Sequence, residues 1–458
     1  MNTTVFEYCQ ANRERFLQGL INWVKIPSIS ALPEHKADVR RAAEYLANDL
    51  RDMGLQSVEL IEGKETENPL VYAEWLGAPG KPTLLLYGHY DVQPPDPLEE
   101  WKSPPFEPIL RDQNLYGRGT ADDKGQSYIL AKAVEAFLKT TGRLPINVKF
   151  LLEGEEEIGG AHIERYVKGN PDRLKADAAI VCDTEMFALD LPTICVGLRG
   201  LVYTEIEARG AAHDLHSGSY GGAAPNPLQA LAEIIGCLKG PDGKIRIPGF
   251  YRRVKKPSRK ELDAWKRLPF KEKEFLKKEV GAAALTGEKG IPVLERLWAR
   301  PTLEVHGIRG GFTGEGAKTV IPAVATAKIS MRLVPDMNPK EVIRQYTSYV
   351  KKITPKGIKT AVRLLSSAPA AVVSTESPSI AAAAEALQHV FPQKTVYTRA
   401  GGSIPIVGVF KKSLGIPSVL MGFGLPDDNL HAPNEKFYLP NFYRGIEAVV
   451  RYFELLGR

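Results

Sequence analysis

The chain has 458 residues, 43% of them hydrophobic and 25% charged, with a formal net charge of +6; it can bury a large core and exceeds the usual single-domain length, so two domains are expected. A charge surplus this modest argues against a nucleic-acid coat or an acidic tail as the organising feature. Cys9, Cys182, Cys195 and Cys237 lie far apart with no Cys-x-x-Cys pair, which argues against a disulfide framework or a thiolate zinc site and fits a reducing cytoplasm.

The first residues break their apolar positions with Glu7, Arg13, Glu14 and Arg15, the pattern of an amphipathic helix rather than a signal peptide. No stretch of about 18 uninterrupted apolar residues follows, so no membrane span is expected. A helix near Asp38 to Met53 precedes strands near Leu70 to Trp75 and Thr83 to Tyr87, a helix near Lys124 to Lys139, and strands near Asn147 to Leu152 and Ala178 to Cys182. Such alternation predicts an α/β domain with a largely parallel sheet covered by helices, whose ligands meet in a crevice at the carboxyl ends of the strands.

After Gly197 the texture changes. The alternating strand LVYTEIEARG, a Gly-rich loop and the helix NPLQALAEIIGCL lead into a long basic helical segment, then two strands in TVIPAVATAKISMRLV, a helix from Pro339 to Lys352 and a strand near Ile358 to Leu365. This reads as a compact α+β unit. Beyond the Ala- and Pro-containing stretch Ser366 to Pro378 the α/β pattern resumes in SIAAAAEALQHVF and IPSVLMGFG. The expected layout is therefore residues 1–199 and 377–458 as two segments of one domain, with 200–376 inserted between them.

Potential ligands stand where hydrophobic strands run out. In GHYD, His89 and Asp91 are two residues apart and point to the same side of a strand, so Asp91 can orient the His89 ring; an ordinary turn is the alternative. Asp122 and Asp123, in GRGTADDKG, either cap the helix that follows or place a carboxylate between two cations, and the bridging role falls to Asp122. Glu155, Glu156 and Glu157 follow the strand VKFLL and repel one another at a dry strand end unless cations neutralise them, whereas a solvated acidic loop would carry them without that need. One of these carboxylates would bind metal and a neighbour would accept a proton from water, and spacing does not say which. Asp183 ends the strand AAIVC, and His431 sits in a loop ahead of Pro433, Asn434 and Glu435.

Taken together, GHYDVQP, GRGTADDKG, EGEEEIGG, DLHSGSYGG, GAKTVIP, MRLVPDM, GGSIP and LHAPNE resemble the di-metal amidohydrolase family of carnosine-type dipeptidases, glutamate carboxypeptidases and aminoacylases, and within it the cytosolic non-specific dipeptidase branch. The resemblance implies a catalytic domain made from 1–199 and 377–458 and a lid and dimerisation domain made from 200–376. It makes His89, Glu157, Asp183 and His431 terminal ligands of two divalent ions, Zn²⁺ or Mn²⁺, with Asp122 bridging, Asp91 supporting His89 and Glu156 as general base. It also implies a cis peptide between Asp122 and Asp123. His216 would stabilise the oxyanion in the site of a partner subunit, which requires a homodimer. Thr319, Arg332 and Ser403 would hold the substrate, with Arg332 suited to a bidentate grip on a carboxylate.

The activity so implied is hydrolysis of a peptide or amide bond in dipeptides or short peptides. One departure bears on it: the branch commonly has Glu where this chain has Ala400, and losing that anchor for a free α-amino group favours N-acyl amino acids or longer peptides. A deacylase of N-acyl amino acids is the alternative enzyme, and a non-catalytic peptide- or metal-binding protein the alternative of another class. The segment Arg252 to Lys278 carries twelve Lys or Arg against four Asp or Glu, but Leu262, Trp265, Leu268 and Phe275 give it apolar anchors at helical spacing. It reads as a solvated lid helix and not as a nucleic-acid surface.

Overall fold

The computed structural model describes residues 3–402 and 404–458, which divide into two compact units. One comprises Met1–Val196, Val373–Thr398 and Ile406–Arg458, and the other Gly197–Val372 and Arg399–Pro405. The chain thus leaves the first unit after Val196, returns to it at Val373, and leaves it once more over Arg399–Pro405.

In the first unit the strands lie in the spatial order Ser57–Ile61, Leu70–Trp75, Asn147–Glu153, Thr83–His89, Ala178–Val181, Ser418–Leu420 and Thr193–Leu198. The middle four are parallel, and the flanking pairs are antiparallel. Every residue of Asn147–Glu153 is buried, as a strand covered on both faces by helices requires. Leu86, Phe150, Ile180 and Val419 pack with Trp23 and Leu46, with Ile129 from the helix Lys124–Thr141, and with Phe442 and Phe453 from the helix Leu439–Leu456. Gly88 lets the Lys124–Thr141 helix approach, because a Cβ there would stand 1.9 Å from Ser127 Oγ.

The second unit is a sheet in the order Thr302–Gly310, Val324–Leu333, Gly200–Arg209 and Lys359–Ala368, antiparallel throughout. Alternate residues of Gly200–Arg209 are buried. Val202 and Ile206, with Ile329 and Met331, form a core with Leu231 and Ile234 of the helix Pro227–Leu238 and with Tyr346 and Val350 of the helix Pro339–Ile353.

Three local features differ from the sequence reading. The N-terminal helix is two helices, Thr3–Ala11 and Arg13–Val24. The basic segment is broken into Arg259–Lys266 and Glu272–Phe275, with Pro269 between them denying the helix a backbone donor. Thr302–Gly310 is a strand that periodicity did not reveal: its register shifts between Val305 and Gly307 and its middle is exposed, so no alternation marks it. Among the described residues no helix is long and apolar enough to cross a membrane.

Candidate active site

His89, Asp91, Asp122, Glu156, Glu157, Asp183 and His431 all belong to the first unit. His89 closes the strand Thr83–His89, and Asp183 stands just past Ala178–Val181, the parallel strand beside it. Parallel neighbours end on one side, so these loops converge there. His89 Nε2 lies 3.1 Å from Asp122 Oδ1 and 4.0 Å from Asp183 Oδ2. On the other side of the same carboxylate, His431 Nε2 lies 2.9 Å from Asp122 Oδ2 and 3.4 Å from Glu157 Oε1. Two triads result, His89 with Asp122 and Asp183, and Asp122 with Glu157 and His431. Within each, the potential ligand atoms are no more than 4.8 Å apart.

The chain around these side chains is heavily tied. The carboxylate of Asp91 accepts the backbone N–H of Glu156 at 3.2 Å, that of Glu157 at 3.1 Å and the Ser30 hydroxyl at 2.6 Å. These bonds hold the glutamate turn, while His89 Nδ1 lies 3.1 Å from the Asp91 carbonyl and 3.5 Å from its carboxylate. Asp91 therefore faces the His89 ring with both its main-chain carbonyl and its carboxylate. Gln93 donates to Glu157 Oε2 at 2.8 Å. Glu155 accepts the N–H groups of Asn68 at 2.7 Å and His162 at 3.2 Å, which places it as an anchor for the start of the helix Ala161–Gly169.

The peptide between Asp122 and Asp123 is cis. Asp123 does not cap the helix after it; its Oδ2 accepts from Ser127 Oγ at 2.7 Å and from the His89 N–H at 3.2 Å. His431 itself has a φ of 60°, a left-handed conformation that a non-glycine residue adopts at a cost and that clusters at functional sites. Sequence reasoning missed Glu435 and Arg118. Buried Glu435 accepts from Arg118 Nη1 at 2.7 Å and from the N–H groups of Gly119, Ala121 and Asp122 at 3.0, 2.9 and 3.1 Å. The signal lay in LHAPNE, four residues after His431, but nothing local reveals a partner more than three hundred residues away.

Packing so many acids together polarises their titration. Burial raises the Glu156 carboxyl to about 8, with the charge of Glu157 adding to the effect. Burial and Asp123 hold Asp183 well above the usual carboxylate range. Asp122 goes the other way: although burial opposes it, His431 and His89 keep it ionised. Asp122 and Glu157 in turn raise His431 to about 10. His89 Nε2 and Glu157 Oε1 are buried without a hydrogen bond. Orphaned donor atoms among clustered carboxylates, in a mixed nitrogen and oxygen set, fit a pair of divalent cations competing with the imidazole protons.

The other expected residues lie in the second unit. His216 is exposed; its Nδ1 accepts the N–H groups of Gly218 at 3.0 Å and Ser219 at 3.3 Å. It pairs with Val320, and the Ser217 N–H reaches the Thr319 carbonyl at 3.0 Å, so His216 and Thr319 are neighbours. Arg332 is half-buried on Val324–Leu333, opposite Leu201 on one side and Thr302 on the other. Ser403 lies outside the described residues.

The description of peptidase family M20/M25/M40 matches residues 85–455. The chain is 33% identical over 472 residues to the Cys-Gly metallodipeptidase DUG1 of Candida albicans, covering 99% of this chain and 97% of that protein. Among solved structures, human carnosine dipeptidase 1 superposes with a TM-score of 0.88 at 30% identity, over 99% of this chain and 98% of that one. A metallo-carboxypeptidase from Sulfolobus solfataricus, Sso-CP2, gives 0.87 at 33% identity, over 96% and 99%.

Proposed function

The chain belongs to peptidase family M20/M25/M40, and from that premise we propose a two-metal hydrolase of short peptides in which Glu156 carries the proton. The observation that supports it most is the shared position of Asp122, with one oxygen toward His89 and Asp183 and the other toward His431 and Glu157. Asp122 with His89 and Asp183 would hold one cation, and Asp122 with Glu157 and His431 the other. Zn²⁺ or Mn²⁺ bound there would supply the charge that acidifies water and polarises an amide carbonyl.

Glu156, beside Glu157 but outside both triads, takes a proton from the attacking water and returns one to the leaving amine. Asp91 holds the backbone of Glu156 and Glu157 in place for this. Arg332 grips the substrate's carboxylate, Thr319 and Ser403 are further substrate contacts, and His216 of a second copy stabilises the oxyanion. That role requires a homodimer through residues 200–376. The exposed strand Thr302–Gly310, with Ile308 facing solvent, offers an unpaired sheet edge for it. Hybrid dimers of His216→Ala and Glu156→Ala chains would regain activity if the contribution is in trans and would stay inactive if it is not. A cytoplasmic location fits the free thiols.

The relatives' names divide between dipeptides and carboxyl-terminal cleavage, and Ala400 offers no carboxylate for a substrate amine. Free dipeptides and short peptides cut from the carboxyl end are the proposed substrates, with N-acyl amino acids as the second reading. A panel of free dipeptides, tripeptides and N-acyl analogues, assayed after Zn²⁺ or Mn²⁺ is returned to stripped protein, tests this. Turnover of peptides supports it, turnover confined to N-acyl substrates supports deacylation, and no turnover of any overturns both.

A further inference from the structure

The second unit holds a buried cation that the catalytic scheme leaves unused. Arg199 is 9% exposed. Its Nε donates to the Gly401 carbonyl at 2.9 Å, and its own N–H donates to the Gly402 carbonyl at 3.2 Å. It therefore grips both Gly401 and Gly402. Its Nη1 donates to the Arg300 carbonyl at 3.4 Å. The strand carrying Arg332 runs between those of Leu201 and Thr302, so the bond from Arg199 to Arg300 spans the end of the Arg332 strand.

Leu201 stands directly opposite Arg332, and Arg199 precedes Leu201 by two residues. Arg199 thus stands just before the strand Gly200–Arg209, at the end of it that pairs with Arg332 and Leu333. Burial, with the positive charge of Arg332 adding to it, lowers Arg199 to about 10. Main-chain carbonyls hold the guanidinium without neutralising it. The acid acting on it from a distance, Glu304, is engaged by Lys239 Nζ at 3.2 Å. A guanidinium held by main-chain carbonyls keeps its charge in a desolvated place, a cost that a nearby anion would offset.

We propose that Arg199 is a positioning residue for the substrate's carboxylate end: it sets the Gly401–Gly402 turn and adds a second positive charge beside Arg332. The inference rests on the reading that Arg332 takes a substrate carboxylate. A Cβ at position 401 would come within 2.8 Å of Arg199 Nη2, so a side chain there would displace the guanidinium.

The test is binding to metal-loaded protein silenced by Glu156→Gln, titrated calorimetrically with alanyl-alanine and with alanyl-alanine amide. In that background Arg199→Met should weaken the free dipeptide about tenfold or more while leaving the amide within about twofold, as expected for loss of a charge-assisted contact. Arg199→Lys, which keeps the charge but not the fork, should recover part of the loss. Gly401→Ala, which crowds the guanidinium without removing it, should shift the dipeptide in the same direction and decides the matter if Arg199→Met fails to fold. Unchanged dipeptide binding, or an equal loss for dipeptide and amide, overturns the inference. If the Glu156→Gln protein itself does not prefer the free dipeptide to the amide, the reading of Arg332 fails and the inference with it.

Discussion

Glu435 accepts the backbone N–H of Asp122 at 3.1 Å, so the residue shared by both triads is placed by a carboxylate four positions beyond His431. Glu435 also pairs with Arg118, whose side chain is 1% exposed, so the contact joins two segments across a dry interior.

Replacing Glu435 with Ala should therefore cost more than a surface pair would. It strands a buried guanidinium and frees three main-chain donors, for which a loss of about 3–5 kcal/mol is expected. Urea unfolding of the metal-free protein measures it, and a loss below about 1 kcal/mol, the scale of an exposed pair, would contradict the role assigned to the contact.

Asp122 and Asp183 should differ in metal stoichiometry. Asp122→Ala removes a ligand from both triads and should leave less than one tightly held ion per chain, whereas Asp183→Ala should leave about one. Metal analysis after gel filtration distinguishes them, and equal stoichiometry in the two variants would remove the case for bridging.

Glu156→Gln should lower kcat by about 10²–10⁴, the range for loss of a general base, with the metal content unchanged. Loss of metal along with activity would make Glu156 a ligand rather than a base.

The imidazole protons set a pH dependence. His431 is raised to about 10 by Asp122 and Glu157, so in the metal-free protein its pairing stabilises the fold fully below the ordinary histidine value of 6.5 and loses effect as the pH rises toward 10. Metal must displace that proton, so ion affinity moves the opposite way and strengthens with pH. The Tm gap between Mn²⁺-loaded and metal-free protein should therefore widen from about pH 6 to about pH 8. A gap that narrows over this range would reject the assignment of His431 as a ligand.

Much of the site was legible because its residues stand where apolar runs end. LLLY before Gly88 and His89, AAIVC before Asp183 and VKFLL before the glutamates are buried strands whose carboxyl ends must emerge on one side. Glu435 and Arg118 were not legible, since their pairing is tertiary and neither segment has a local pattern requiring it. Part of the role of Asp91 was hidden likewise: GHYD places a carboxylate beside an imidazole, but the N–H groups of Glu156 and Glu157 that it also accepts come from another loop. Thr302–Gly310 escaped detection for a different reason, because an edge strand with a bulge exposes residues on both faces and erases the two-residue period.

The return of the chain to its first unit has a consequence for biosynthesis. His431 and Glu435 leave the ribosome only after the whole second unit has been made, on the order of ten to fifty seconds behind Asp183 at ordinary elongation rates. Until then a nascent chain lacks the second triad of Asp122, Glu157 and His431, so the proposed hydrolysis has to wait for synthesis of the segment that follows the second unit.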